Sequence, residues 1–207
     1  MNGKQLKKQI RQLQKENKFH YHVLHCSSPT IEKIEQSLQY LGSFQYVPSL
    51  SNIVPYMDQK CCSYATDFYM MYTTPETLPE IFPSSSPHQL LCCAFLLVHK
   101  NQENRIVEFL MVQSSMGCGG LLLDWFENQY KDQIDLIVLK SSLRAINFYQ
   151  KKGFLMNRTL TNQEMWPIMI KQFHPHQEIT DHHCTKVPKT WEWISIWNQW
   201  LWNIFTL

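Results

Sequence analysis

The chain has 207 residues, 44% of them hydrophobic, which suits one packed domain with extensions. A net charge of +2 excludes general nucleic-acid binding, which needs clustered positive charge. No apolar run reaches bilayer length, so no transmembrane segment is expected; the seven cysteines are odd in number, two pairs are adjacent, and no signal peptide precedes them, so an intracellular, reducing compartment is expected.

Residues 1–18 form the first segment. GKQLKKQIRQLQKENK places Leu6, Ile10 and Leu13 on one helical face among basic residues, and reads as a basic helical arm, solvated or disordered. A mitochondrial presequence would be richer in Arg and Ser, so cytoplasm or nucleus is expected before the mitochondrion. FHYHVLH (19–25) reads as a first strand. Ser28 and Pro29 then offer an N-cap and first turn for a helix carrying Ile31, Ile34, Leu38 and Leu41, which Gly42 stops. A short helix is expected over roughly Leu50–Asp58, a strand over Tyr64–Thr73, and a loop over the proline-rich 75–87. Gln89–His99 and Arg105–Val112 are the clearest strands, and NQEN (101–104) between them predicts a hairpin. The glycine cluster MGCGG (116–120) leads into a helical LLLDWFENQY, then IDLIVL (134–139) as a short buried parallel strand. A helix over Ser141–Lys152 ends at Gly153, and strands follow at Phe154–Met156 and Pro167–Phe173. This order predicts an α/β fold with a mixed central sheet flanked by helices, over residues 19–173.

Residues 174–207 form a separate extension. Trp193, Trp197, Trp200 and Ile204 share one helical face, with Trp191 and Ile194 close by, so residues 190–205 read as a Trp-rich helix. Three destinations compete: the domain itself, a protein partner met through Trp191, Trp193, Trp197, Trp200 and Trp202, or a membrane interface. Basic residues are scarce there, which favours packing or docking over the membrane. Two histidine clusters (His20, His22, His25 with Cys26; His174, His176, His182, His183 with Cys184) lack any standard zinc spacing, and no metal is expected.

AINFYQKKGF (145–154) resembles the A-x-x-F-Y-x-K-x-G-F pattern of the GNAT-superfamily acetyltransferases, at Ala145, Phe148, Tyr149, Lys151, Gly153 and Phe154. VQSSMGCGGLLL (112–123) is similar to that family's pyrophosphate loop, and PIMIKQF to its last strand. The resemblance covers about residues 20–173 and is dense from 89 to 173. It implies an acetyl-CoA-dependent N-acetyltransferase acting on a peptide or small-molecule amine, or a GNAT-fold scaffold subunit without catalysis. It further implies that the strand before the loop and the strand at 134–139 are parallel neighbours that splay apart near Val112. Tyr149 matches the position that protonates the CoA sulfur, and Glu108 is the general-base candidate. Backbone groups of Val112 and Gln113 would hold pantetheine and the thioester oxygen. Gly117, Cys118, Gly119 and Gly120 would meet the diphosphate, helped by a helix N-terminus. The loop lacks the family's Arg or Gln, Ser114 or Gly117 standing there according to register. Ser142 takes the place of a common asparagine, and Arg144 or Lys151 would bring charge nearby.

Overall fold

A computed structural model describes residues 3–41, 43–45, 53–57, 65–74, 77, 89–101, 103, 105–114, 117–157 and 166–173. The Trp-rich tail, the second histidine cluster, Tyr64, Cys61, Cys62, Cys184 and most of 75–87 lie outside these residues.

The elements in chain order are α1 (Gly3–Lys15), β1 (His22–Ser27), α2 (Ile31–Leu41), β2 (Ser43–Gln45) and β3 (Asp67–Thr73). Then come β4 (Gln89–Asn101), β5 (Ile106–Ser114), α3 (Gly119–Tyr130), β6 (Leu136–Lys140), α4 (Ile146–Lys151), β7 (Leu155–Met156) and β8 (Ile168–Gln172). One sheet runs in the order β1-β3-β4-β5-β6-β8-β7, with β2 beside the start of β4. The mixed α/β architecture agrees with the sequence reading. The hairpin is there, with Arg105 at φ 51 in its turn, and Gly153 ends α4 at φ 82.

Several local expectations need correction. α2 begins after Thr30, whose hydroxyl accepts the Lys33 N–H at 3.2 Å. Ser28, read as the cap, instead sits at φ 46 and donates its N–H to the Thr66 carbonyl. The helix expected around Leu50–Asp58 is, within the described Ile53–Met57, a single 3-10 turn carrying Pro55. Ser141–Lys152 divides into a 3-10 turn at Leu143–Ala145 and the short α4. β2 had no counterpart in the reading.

The largest correction concerns α1. Leu6, Ile10 and Leu13 are 3%, 0% and 9% exposed and share a core with Leu122, Phe126, Phe109 and Phe154. The solvated arm is therefore a structural helix. Burying each such side chain contributes about 1.5–3 kcal/mol, more than enough to hold a helix of modest propensity.

That core, with α1, α3 and α4, covers one face of the sheet. Ile31, Ile34 and Leu38 of α2 and the Ile53–Met57 turn cover the other, over Phe68, Met70, Phe95 and Leu97. Cys92 and Cys93 are buried on opposite faces as small core residues. The four described cysteines are free thiols.

Ion pairs fix α3, the helix that carries the glycine loop. Lys152 grips both Asp124 oxygens at 2.7 and 2.6 Å, and Lys171 meets Glu127 at 2.6 Å. At its far end Tyr130 joins a polar cluster. Tyr69 donates to the Tyr130 hydroxyl at 2.9 Å, Lys100 to Tyr69 at 2.5 Å, and Asp67 faces both His25 (2.6 Å) and Lys100 (3.4 Å).

Candidate functional site

β5 is the element on which the site turns. Its partner β4 stays in register at Val98↔Phe109 and resumes at Leu97↔Met111, leaving Leu110 as an extra residue. Such a bulge bends and twists its strand. On the other side β5 runs parallel to β6 from Ile106↔Leu136 only as far as Phe109↔Leu139. Pairing to β6 therefore ends where the bulge begins, and Leu110 to Ser114 run on along β4 alone. The two parallel strands part as expected, but three residues before Val112. Val112 and Gln113 lie on this departing stretch, opposite Leu96 and Phe95.

Both chain segments that follow the split emerge at the same end of the sheet, because β5 and β6 are parallel. From β5 the chain enters the glycine loop. Gly117 has φ 78, a conformation that favours glycine. Gly119 opens α3, and its N–H donates to the Ser114 hydroxyl at 3.0 Å. One amide assigned to the diphosphate is thus already bonded within the loop. A methyl group on Gly119 would stand 3.2 Å from the Ser114 Cβ and 3.7 Å from the Phe148 ring. One on Gly120 would meet the Lys152 side chain at 2.9 Å. Cys118 is buried, receives a bond from the Gln14 side-chain amide at 3.3 Å, and with burial holds the Cys93 thiol above its usual range.

From β6 the chain leads through exposed Ser142 and Arg144 into α4. Ser142 accepts from the Ala145 N–H through its carbonyl. Nothing ties Ser142 or Arg144 to the loop among the described contacts; their place is the mouth of the split. Phe148 brings α4 onto the loop, and Tyr149 packs edge-on to Phe148 and Phe154 at 5.0 and 5.6 Å. Burial pushes the Tyr149 phenol up to about 12, so it holds its proton at neutral pH.

Glu108 stands elsewhere. Val107 and Phe109 point into the α3-side core, and the alternation of a strand turns Glu108 to the opposite face. There the Tyr56 phenol is raised by burial and then by the Glu108 charge. Tyr149 and Glu108 thus lie on opposite faces of the sheet.

The parting of the parallel neighbours β5 and β6, with a glycine loop and a tyrosine-bearing helix after it, is the arrangement the sequence resemblance implied. The fold is GNAT-like. No family model and no curated protein matches the chain. Similar solved structures include a putative N-acetyltransferase from Lactobacillus plantarum at 15% identity, over 74% of this chain and 99% of that one, with a TM-score of 0.44. The catalytic domain of the Tetrahymena GCN5 histone acetyltransferase in complex with coenzyme A is 13% identical over 77% and 95%, with a TM-score of 0.43. Against nourseothricin acetyltransferase the chain matches at 14% identity over 52% of its own length and 65% of the other, with a TM-score of 0.37. The GNAT-like assignment stands on the motif residues and the topology of this molecule.

Sequence reasoning missed three cations at the loop. A Gly117 Cβ would lie 3.8 Å from Arg11 Nε and 3.9 Å from Lys7 Cε, and Lys152, rather than Lys151, lies over Gly120. The signal for α1 was the Lys7–Arg11 spacing beside the apolar stripe; it reads the same on any solvated helix. Among the described residues no three His, Cys, Asp or Glu side chains converge as metal ligands, and no helix is long and apolar enough to cross a membrane.

Proposed function

We propose that this chain is an acetyl-CoA-dependent N-acetyltransferase acting on an amine of a peptide or small molecule. The observation that carries the reading is the parting of β5 from β6 after Phe109↔Leu139, with the Gly117–Gly120 loop and Tyr149 at its mouth.

In this reading the pantetheine arm lies along the departing stretch of β5, against backbone groups around Val112 and Gln113. The deprotonated amine approaches from the Tyr56 face and attacks the thioester carbonyl carbon. A C–N bond forms, the carbonyl oxygen takes negative charge, and a strand-edge N–H stabilises it. Glu108 takes the amine proton, directly or through water. Collapse breaks the C–S bond, and Tyr149 gives its proton to the leaving thiolate. A phenol near 12 is protonated throughout the working range and strong enough as a donor only when the thiolate is close, which ties its role to contact with the sulfur. Ser142 and Arg144 border the nucleotide end in this pose.

Calorimetric titration with acetyl-CoA, followed by CoA release in the presence of amines and peptides, tests the reading. Micromolar binding with amine-dependent thiol release is expected. Absence of acetyl-CoA binding at millimolar concentration would overturn it and return the chain to the scaffold alternative, with residues 191–202 as the segment proposed to meet a protein partner.

A further inference from the structure

On the reading that this chain holds acetyl-CoA, the geometry points to α1 as a phosphate-recognition element: Lys7 and Arg11 bind phosphate groups at the cofactor's nucleotide end. The glycine loop has no basic side chain of its own, since Gly117, Cys118, Gly119 and Gly120 follow Ser114, Ser115 and Met116 directly. α1 brings the charge from elsewhere in the chain. Lys7 and Arg11 are one turn apart on the helix, so their side chains stand side by side. Both lie within 4 Å of the place a Cβ would take on Gly117, where the absence of a side chain leaves room between loop and helix. Gln14 continues the same row and bonds Cys118. The stripe Leu6, Ile10, Leu13 locks the helix into the core, so the row is held in place rather than waving from a free arm.

Several other cations of the molecule are held by carboxylates. Lys152 is matched by Asp124, Lys171 by Glu127, Lys100 by Asp67 and Arg105 by Asp135. α1 contains no acidic residue at all, and Glu16 just beyond it is engaged by Lys18 and Gln12. Among the described residues Lys7 and Arg11 face no carboxylate, yet they sit against the backbone turn that leads into α3. An ammonium and a guanidinium set side by side suit a multiply charged phosphate better than a carboxylate, because the fork of Arg11 and the point charge of Lys7 contact different oxygens. The diphosphate and the ribose 3′-phosphate of CoA share that chemistry.

The full chain is titrated calorimetrically with CoA, 3′-dephospho-CoA and phosphate-free pantetheine, as wild type, as Lys7→Gln/Arg11→Gln, and as the charge-preserving Lys7→Arg/Arg11→Lys. The neutral double variant should bind CoA at least about tenfold more weakly, the charge-preserving one within about threefold of wild type, and pantetheine should not distinguish them. Raising salt should weaken wild-type binding more than that of the neutral variant. If dephospho-CoA is as sensitive to the variant as CoA, the diphosphate is the bound group; if it binds wild type weakly and ignores the variant, the 3′-phosphate is. Wild-type CoA binding that persists unchanged in the neutral variant would overturn the role of α1 while leaving the acetyltransferase reading intact. A wild type that binds no CoA would overturn both. Melting curves of the variants, expected to match wild type because both side chains are exposed, exclude misfolding as the cause.

Discussion

Two residues show how burial sets chemistry here. Tyr149 is neutral because its ring lies among Phe148, Phe154 and the α3-side core, which penalises the phenolate. Its folded value, about 12, is above that of an exposed phenol. The stability linked to this group is therefore fully present at neutral pH and is lost as pH rises from about 10 through about 12. Within the catalytic reading, Tyr149→Phe should lower kcat by about 10²–10⁴-fold with acetyl-CoA affinity little changed. The pH profile supplies a sharper check: no descending limb below pH 10 should belong to Tyr149, and such a limb vanishing in Tyr149→Phe would contradict a buried phenol. Asp67 illustrates burial answered by partners: His25 and Lys100 face its carboxyl group and Thr66 donates to it at 2.8 Å. Asp67→Asn leaves Lys100 without its carboxylate above the Tyr130 ring. Loss of about 2–3 kcal/mol is expected in urea unfolding, with activity at the distant loop retained. A loss below about 0.5 kcal/mol would show that Tyr69 and Tyr130 alone suffice for Lys100.

At the scale of elements, α1 and β5 carry most of the argument. Ile10 is fully buried and Lys8 exposed on the same helix, so the two substitutions separate core from arm. Ile10→Ala should cost about 2–5 kcal/mol and Lys8→Ala almost nothing, by thermal or urea unfolding. Equal, negligible effects would restore the solvated arm. The arm reading arose because three apolar residues among five basic ones leave the helix face narrow. Whether a narrow stripe is buried depends on what lies opposite, here Leu122, Phe126 and Cys118, and no local pattern reports that. The hairpin was legible because Gln89–His99 is almost continuously apolar and a polar turn, NQEN at 101–104, follows it. The glycine at 153 was legible because a left-handed helix end has a strong residue preference. The bulge was not: Leu110 is an ordinary apolar residue between Phe109 and Met111, and its lack of a partner appears only in the register with β4. Nor was the relation of Glu108 to Tyr149 legible. Sequence spacing places both near the loop, whereas strand alternation sends one to each face of the sheet.

At the scale of the whole molecule, the described core closes without residues beyond Phe173. Both faces of the sheet are covered by α1, α3 and α4 on one side and α2 with the Ile53–Met57 turn on the other. Phe173 itself is tied back, its N–H donating to the Asp135 carbonyl at 2.9 Å. A chain ending after Phe173 should therefore fold and keep the split, the loop and α4. Ligand linkage makes this measurable. Acetyl-CoA at about one hundred times its Kd stabilises a folded protein by about 2.7 kcal/mol. For a domain of this size each kcal/mol corresponds to about 2–4 °C, so saturating acetyl-CoA should raise Tm by about 5–10 °C. Residues 1–173 should show the same rise as the full chain, within error. An equal rise in both would assign the cofactor site to the described domain and leave the tryptophans of 191–202 for another task, the partner docking proposed above. A truncated chain that melts cooperatively but gains nothing from acetyl-CoA would place part of the cofactor site in the tail. A truncated chain that aggregates would show that the tryptophans complete the fold, and would remove the case for their meeting a partner.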